Sequence, residues 1–235
     1  MAETTNERVL VTGGASGIGA AIAAQQRAQG REVVIIDKQP GGIEADMGDA
    51  EQVEAALAEA LAGGPIHRLV NNVGYIRVAD LEDLDFDDVL RTYEINTVAA
   101  MRCAKALLPG MRKAGFGRIV NIASRAALGK PGRGAYGGSK AGLIGITRTW
   151  ALELGRHGIT VNAVSPGPIR TAMFEAANPA GEPRTQQIID AIPVKRVGEP
   201  EDIASAVAFL LDDRGFITGQ NLNVCGGMTI GAAPL

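Results

Sequence analysis

The chain has 235 residues, 46% of them hydrophobic, which is enough to bury the core of one α/β domain. A formal net charge of −3 argues against a polyanion-binding surface. Cys103 and Cys225, and the only histidines, His67 and His157, stand at no metal-ligand or redox spacing. Neither a metal nor a histidine-based triad is therefore expected, and two reduced thiols suit a cytoplasmic protein.

The polar, acidic opening Met1-Ala2-Glu3-Thr4-Thr5-Asn6-Glu7 does not read as a signal peptide, and no apolar stretch long enough to cross a bilayer follows it. Arg8-Val9-Leu10-Val11 is a short apolar run. It leads into Thr12-Gly13-Gly14-Ala15-Ser16-Gly17-Ile18-Gly19 and then into strong helix formers over 20–27. Val33-Val34-Ile35-Ile36 is a second strand, ending at Asp37. Strand, glycine loop, helix and strand have together the length of one βαβ crossover. Glycines in such a turn let the backbone approach a pyrophosphate, and the helix start behind them offers free N–H groups and a positive dipole end. A carboxylate at the tip of the second strand is placed to hold a ribose diol, and it would repel the 2′-phosphate of NADP. With no Arg or Lys inside the loop, NAD is expected rather than NADP; Lys38 is the one complicating neighbour.

Pro40-Gly41-Gly42 cannot carry a helix, so the second crossover shrinks to a loop and a strand near Ile43-Glu44-Ala45-Asp46-Met47. A helix is expected over 50–62, closed by Gly63-Gly64-Pro65, and Arg68-Leu69-Val70 is a strand ending in Asn71-Asn72-Val73-Gly74. A long helical region over 86–114 is expected to break at Pro109-Gly110. Strand 118–123 ends just before Ser124, and a helix covers 135–157. Strand 160–164 is stopped by Ser165-Pro166-Gly167-Pro168. A polar segment over 175–185 interrupts the pattern before a helix at 200–211 and a last strand at 221–224. This alternation predicts a single domain, residues 1–235, built as a Rossmann-type doubly wound parallel sheet of about seven strands with helices on both faces.

Ligands of such sheets bind outside the carboxyl ends of the strands. The glycine loop, Asp37, Asp46, Asn71-Asn72, Ser124 and Pro166-Gly167 all stand at such ends. Tyr136 and Lys140 open the helix after Ser124, four residues apart and so on one face. An ammonium held close to a phenol lowers its pKa, and the pair can then give a proton to a carbonyl oxygen or take one from an alcohol.

In their order, Thr12-Gly13…Gly17-Ile18-Gly19, Asn71-Asn72-Val73-Gly74, Asn96, Ser124, Tyr136…Lys140 and Pro166-Gly167…Thr171 resemble the short-chain dehydrogenase/reductase family over nearly the whole chain. Val73 stands where the family usually has Ala. The shortened loop after Asp37 is similar to that of diol dehydrogenases. The resemblance implies Tyr136 as general acid/base, Lys140 holding the nicotinamide ribose, Ser124 bonding the substrate oxygen and Asn96 in a proton relay. It also implies Thr12, Gly13, Ser16, Gly17, Ile18, Gly19, Asp37, Asp46, Met47, Asn72, Val73 and Gly74 around the adenosine and pyrophosphate. Pro166, Gly167, Ile169 and Thr171 would lie at the nicotinamide end.

The expected reaction is NAD(H)-dependent hydride transfer to or from a small secondary alcohol or ketone, under a polar segment at 172–193. Tyr75, Arg77, Arg125, Lys130 and Arg133 lie on loops near the expected crevice. They suit either an anionic substrate such as a carboxylate or plain solvation. The alternatives are an NADPH-dependent 3-oxoacyl reductase, against which Asp37 and the polar cover count, and a non-catalytic dinucleotide-binding sensor. Apolar faces carrying Leu107, Leu143, Ile146 and Trp150 fit either the core or, as the resemblance implies, a homotetramer or homodimer.

Overall fold

A computed structural model describes residues 7–230. The residues 1–6 on which the leader-peptide expectation rests lie outside the described ones, as do 231–235. The described strands are β1 (Arg8–Thr12), β2 (Glu32–Asp37), β3 (Ile43–Glu44), β4 (Arg68–Asn71), β5 (Gly117–Ile122), β6 (Ile159–Pro166) and β7 (Asn221–Val224). They form one sheet in the order β3-β2-β1-β4-β5-β6-β7, parallel at every pairing. The order reverses between β1 and β4. The chains leaving those two strands diverge there, which opens a crevice at their carboxyl ends.

Helices cover both faces because strand side chains alternate. Val9, Val11, Val70, Val120 and Val164 pack with Ile22 of α1 (Gly17–Ala28) and Ile203 and Val207 of α8 (Pro200–Leu210). Leu10, Leu69, Ile119 and Val161 point the other way. They meet Val53 and Leu57 of α2 (Ala50–Ala62) and Cys103, Leu107 and Met111 of α4 (Ala99–Ala114). Leu107 and Leu143 are thus interior, 1% exposed each, and not available to a second subunit.

The region 86–114 is irregular at a different place from the one expected. Pro109 lies inside α4 without ending it. Its buried neighbours Leu107 and Met111 hold the helix through the missing N–H. The break stands earlier: α3 (Phe86–Tyr93) passes into a π-helical turn, Glu94–Val98, before α4 begins. The polar segment at 175–185 also gains structure, as α6 (Ala172–Ala177), capped by Thr171, and α7 (Pro183–Asp190), opened by proline. The remaining helix, α5, spans Gly134–Leu154.

Two glycine replacements separate the effect of steric closure from that of helix propensity. At Gly19 a Cβ would fall inside the carbonyl oxygen of Gly13 and against Asn72 Nδ2, whereas at Gly142 on α5 nothing lies within 4 Å. Gly19→Ala should cost about 1–3 kcal/mol in a urea melt. Gly142→Ala should gain roughly 0.5–1 kcal/mol.

Candidate active site

Tyr136 stands in the first turn of α5 and Lys140 one turn later. Lys140 is 2% exposed. Its Nζ donates to the carbonyl oxygen of Ile122, the last residue of β5, at 2.7 Å. That bond ties α5 to the strand end from which Ser124 follows. The Ser124 side chain lies near enough to Tyr136 to act on its phenol, and its Oγ accepts from the backbone N–H of Ala126 at 3.1 Å. Asn96 lies in the π turn, 2% exposed. Its Oδ1 accepts from Tyr75 N at 2.6 Å, and its Nδ2 donates to Tyr75 O and to Ser139 Oγ, both at 2.9 Å. Ser139 Oγ donates in turn to the backbone oxygen of Tyr136 at 2.8 Å. Any Cβ at Gly74 would stand 3.6 Å from Lys140 Nζ and 3.9 Å from Asn96 Oδ1. A glycine there leaves the approach to both groups open.

The protonation equilibria differ from the sequence expectation. Burial pushes the Tyr136 phenol up; the Ser124 side chain and the charge of Arg133 pull it part of the way back. Lys140, whose Nζ lies 5.9 Å from the ring centroid of Tyr136, is not among the groups that lower it. Burial acts on the lysine itself and brings its pKa down to about 8, which still leaves it mostly charged at neutral pH.

The glycine loop is laced to β4. Asn72 Nδ2 donates to the carbonyl oxygens of Thr12 and Gly13 at 3.1 and 2.9 Å. Thr12 Oγ1 accepts from the N–H groups of Asn72 and Val73 at 3.1 and 3.3 Å. Gly13 and Gly17 have φ of +67° and +53°, a conformation other residues rarely adopt. Ser16 and Gly17 are exposed at the mouth of the loop, and Thr171 is in contact range of a Cβ at Gly17, so the loop and the start of α6 face one another. An open, positive-φ turn ahead of a helix fits the phosphates of a dinucleotide.

Some predicted contacts are already engaged within the protein. Met47 and Ile169 send their side chains into the two cores, leaving only their backbone for a ligand, and Ile18 and Val73 are partly buried against those cores. Asp46 accepts from Gly48 N at 2.8 Å and pairs with Arg91 at 3.2 Å. Gly167 N donates to Val224 O at 2.9 Å, which holds the Pro166-Gly167 turn against β7. A cavity of about 440 Å³ beside it, lined by Pro168, Ile169, Ile192, Val194 and Cys225 among others, includes none of Ser124, Tyr136 or Lys140. Ser139 and the Ile122 carbonyl were not singled out as site groups from sequence, and Tyr75 was placed near the crevice but not in the bonds it makes to Asn96.

Residues 13–229 match the family profile described as enoyl-(acyl carrier protein) reductase. The chain is 39% identical to a (2S)-[(R)-hydroxy(phenyl)methyl]succinyl-CoA dehydrogenase subunit of Thauera aromatica, over 96% of this chain and 97% of that one. It is 37% identical to a 3-oxoacyl-[acyl-carrier-protein] reductase of a Synechocystis strain, over 98% and 100%. Among solved structures it is similar to a blue fluorescent protein from a metagenomic library in complex with NADPH, with a TM-score of 0.87, 36% identity and 95% and 98% coverage. A Beutenbergia cavernae protein with bound NADP gives 0.88, 32%, and 96% and 97%.

These findings overturn the NAD preference expected from Asp37 and favour NADP. The physical premise fails with it. Asp37 is 6% exposed; its Oδ2 accepts from Ala15 N and its Oδ1 from Gln39 N, each at 3.0 Å. The carboxylate that was to hold a ribose diol already has both oxygens engaged by backbone donors, while Lys38 beside it is exposed. With its fold, its ordered motifs and relatives that align along almost its entire length, the chain belongs to the short-chain dehydrogenase/reductase family, whose members are oxidoreductases using NAD(P)(H).

Proposed function

We propose that this protein is an NADP(H)-dependent reductase of 3-oxoacyl thioesters, with Tyr136 as its proton donor. The meeting of Ser124, Tyr136 and Lys140 at the carboxyl end of β5 carries the reading. The acyl-thioester names of two relatives that align end to end give it a substrate class. Bound NADPH supplies the hydride. Ser124 Oγ donates to the substrate oxygen and stabilises the charge that grows on it. Tyr136 gives that oxygen its proton, and in the reverse direction takes one from the alcohol. Lys140 holds the nicotinamide ribose, and Asn96 fixes Tyr75 and Ser139 around the start of α5. Thr12, Gly13, Ser16, Gly17, Ile18, Gly19, Asn72, Val73 and Gly74 cradle the pyrophosphate and adenosine, with Asp46 and the Met47 backbone at the adenine. Pro166, Gly167, Ile169 and Thr171 border the nicotinamide. Lys38, not Asp37, meets the 2′-phosphate. A dinucleotide sensor needs no such proton-donating set. Leu152 of α5 and Phe86 and Leu90 of α3, 86%, 76% and 68% exposed, suit burial between subunits of a homotetramer or homodimer.

With acetoacetyl thioester and NADPH, oxidation of the cofactor should be seen at 340 nm. Tyr136→Phe should lose at least about a hundredfold in kcat while binding NADPH as before. Full activity in that variant would remove Tyr136 from the chemistry. Lys38→Ala should lower kcat/KM about tenfold with NADPH, the value of one charge-assisted contact, and leave NADH nearly unaffected.

The lysine gives a stability test whose sign is fixed. Its pKa is near 8 folded against 10.5 unfolded, so between those values the unfolded chain holds more protons. The penalty for burying it is complete below pH 8 and is relieved as pH rises toward 10.5. In cofactor-free protein, stability relative to Lys140→Met should therefore rise by about 2 kcal/mol from pH 8 to pH 10 in urea melts.

A further inference from the structure

Several arginines of this chain pair with acids. Arg77 pairs with Asp88, Arg91 with Asp46, Arg102 with Glu54 and Glu94, Arg170 with Glu199 and Arg196 with Asp202. Four cations beside the catalytic pair do not. Arg125 opens the 3-10 turn immediately after Ser124. Lys130 follows on the same loop. Arg133 is the N-cap residue of α5, three positions before Tyr136, and Arg184 stands in the first turn of α7. Among the described residues none of the four makes an ion pair with a carboxylate. The first turn of α5 contains no acid to offset them.

Their charges reach one another. Burial and the charges of Arg125, Arg133 and Arg184 all hold the Lys130 ammonium below its ordinary pKa, and no acid opposes them. Arg133 is also near enough to Tyr136 to act on its phenol. Arg133 Nη1 is buried with no hydrogen-bond partner, a donor without an acceptor at the edge of the site. A cationic cluster assembled from two loops and a covering helix, with one donor left open, is built for an anion that arrives with the substrate.

We infer that Arg125, Lys130, Arg133 and Arg184 receive a second carboxylate, carried on the acyl group of the substrate a few bonds from the carbonyl that Tyr136 protonates. The assignment rests on the thioester-reductase reading and narrows it to half-acid acyl chains. Phosphates of a thioester carrier share the chemistry but not the reach, since the long pantetheine arm keeps them far from the reacting carbon. Arg77, one of the basic residues flagged in the sequence, is not part of the receptor because Asp88 occupies it.

The test uses N-acetylcysteamine thioesters, which carry no phosphate: the thioester of 3-oxoadipate with its distal acid free, and the same compound as the methyl ester. Wild type should favour the free acid at least about tenfold in kcat/KM, chiefly through KM. Lys130→Gln and Arg184→Gln should each erase most of that preference, and Arg184→Lys should restore part of it. Equal kcat/KM for acid and ester, or a preference that survives both substitutions, would overturn the inference. So would a coenzyme A thioester of the methyl ester that regains the whole advantage, because the anion would then belong to the carrier. If neither thioester is reduced, the proposed function fails by itself. The receptor is then judged by melting temperature: glutarate, and not glutaramide, should raise it in wild type but not in Arg133→Gln. No difference between the two compounds sinks the receptor as well.

Discussion

A single hydrogen bond between Lys140 Nζ and the carbonyl oxygen of Ile122 ties together the two elements that carry the candidate site. It fastens the second turn of α5 to the last residue of β5. Because Ser124 leaves that strand end and Tyr136 precedes the lysine by one turn, the bond also decides that phenol and hydroxyl meet. The interaction is bought by burying an ammonium, which displaces its pKa to about 8. A lysine so placed can exchange its proton near neutral pH, and a surface lysine could not. The same burial that makes it a clamp makes it chemically responsive.

The fold was readable because parallel strands covered on both faces leave short apolar runs, and each run here is bounded by glycine, proline or a cap. The glycine loop was readable because its conformation follows from residues adjacent in sequence. Asp37 shows where that reasoning stops. A carboxylate at a strand tip is as able to accept from its own loop as from a ribose, and only coordinates reveal that Ala15 and Gln39 use both oxygens. The Tyr136–Lys140 spacing gave the pairing but not the depth of burial that governs both protonation states. Pro109 misled for the opposite reason, since packing on either side of it outweighs a missing donor.

Charge is distributed unevenly around the crevice. At the dinucleotide end, acids are satisfied internally, Asp37 by backbone and Asp46 by Arg91. Around Ser124 and Tyr136, cations outnumber acids and remain unpaired. A chain with a net charge of −3 thus keeps a locally positive stretch around Ser124 and Tyr136. Whole-chain charge argued against a polyanion-binding surface without describing the field at the site, because charges within a few ångströms dominate local potential.

The five-residue π turn at Glu94–Val98 fixes the phase of everything after it. Each residue of an α-helix advances about 100° around the axis. Deleting one residue there to restore regular winding would swing the following helix by that angle, turning Cys103, Leu107 and Met111 away from the sheet. An insertion would rotate them the opposite way. The widened turn therefore acts as a frame-setting element: it lets Asn96 reach Ser139 at the start of α5 while the helix beyond still presents its apolar side to the core.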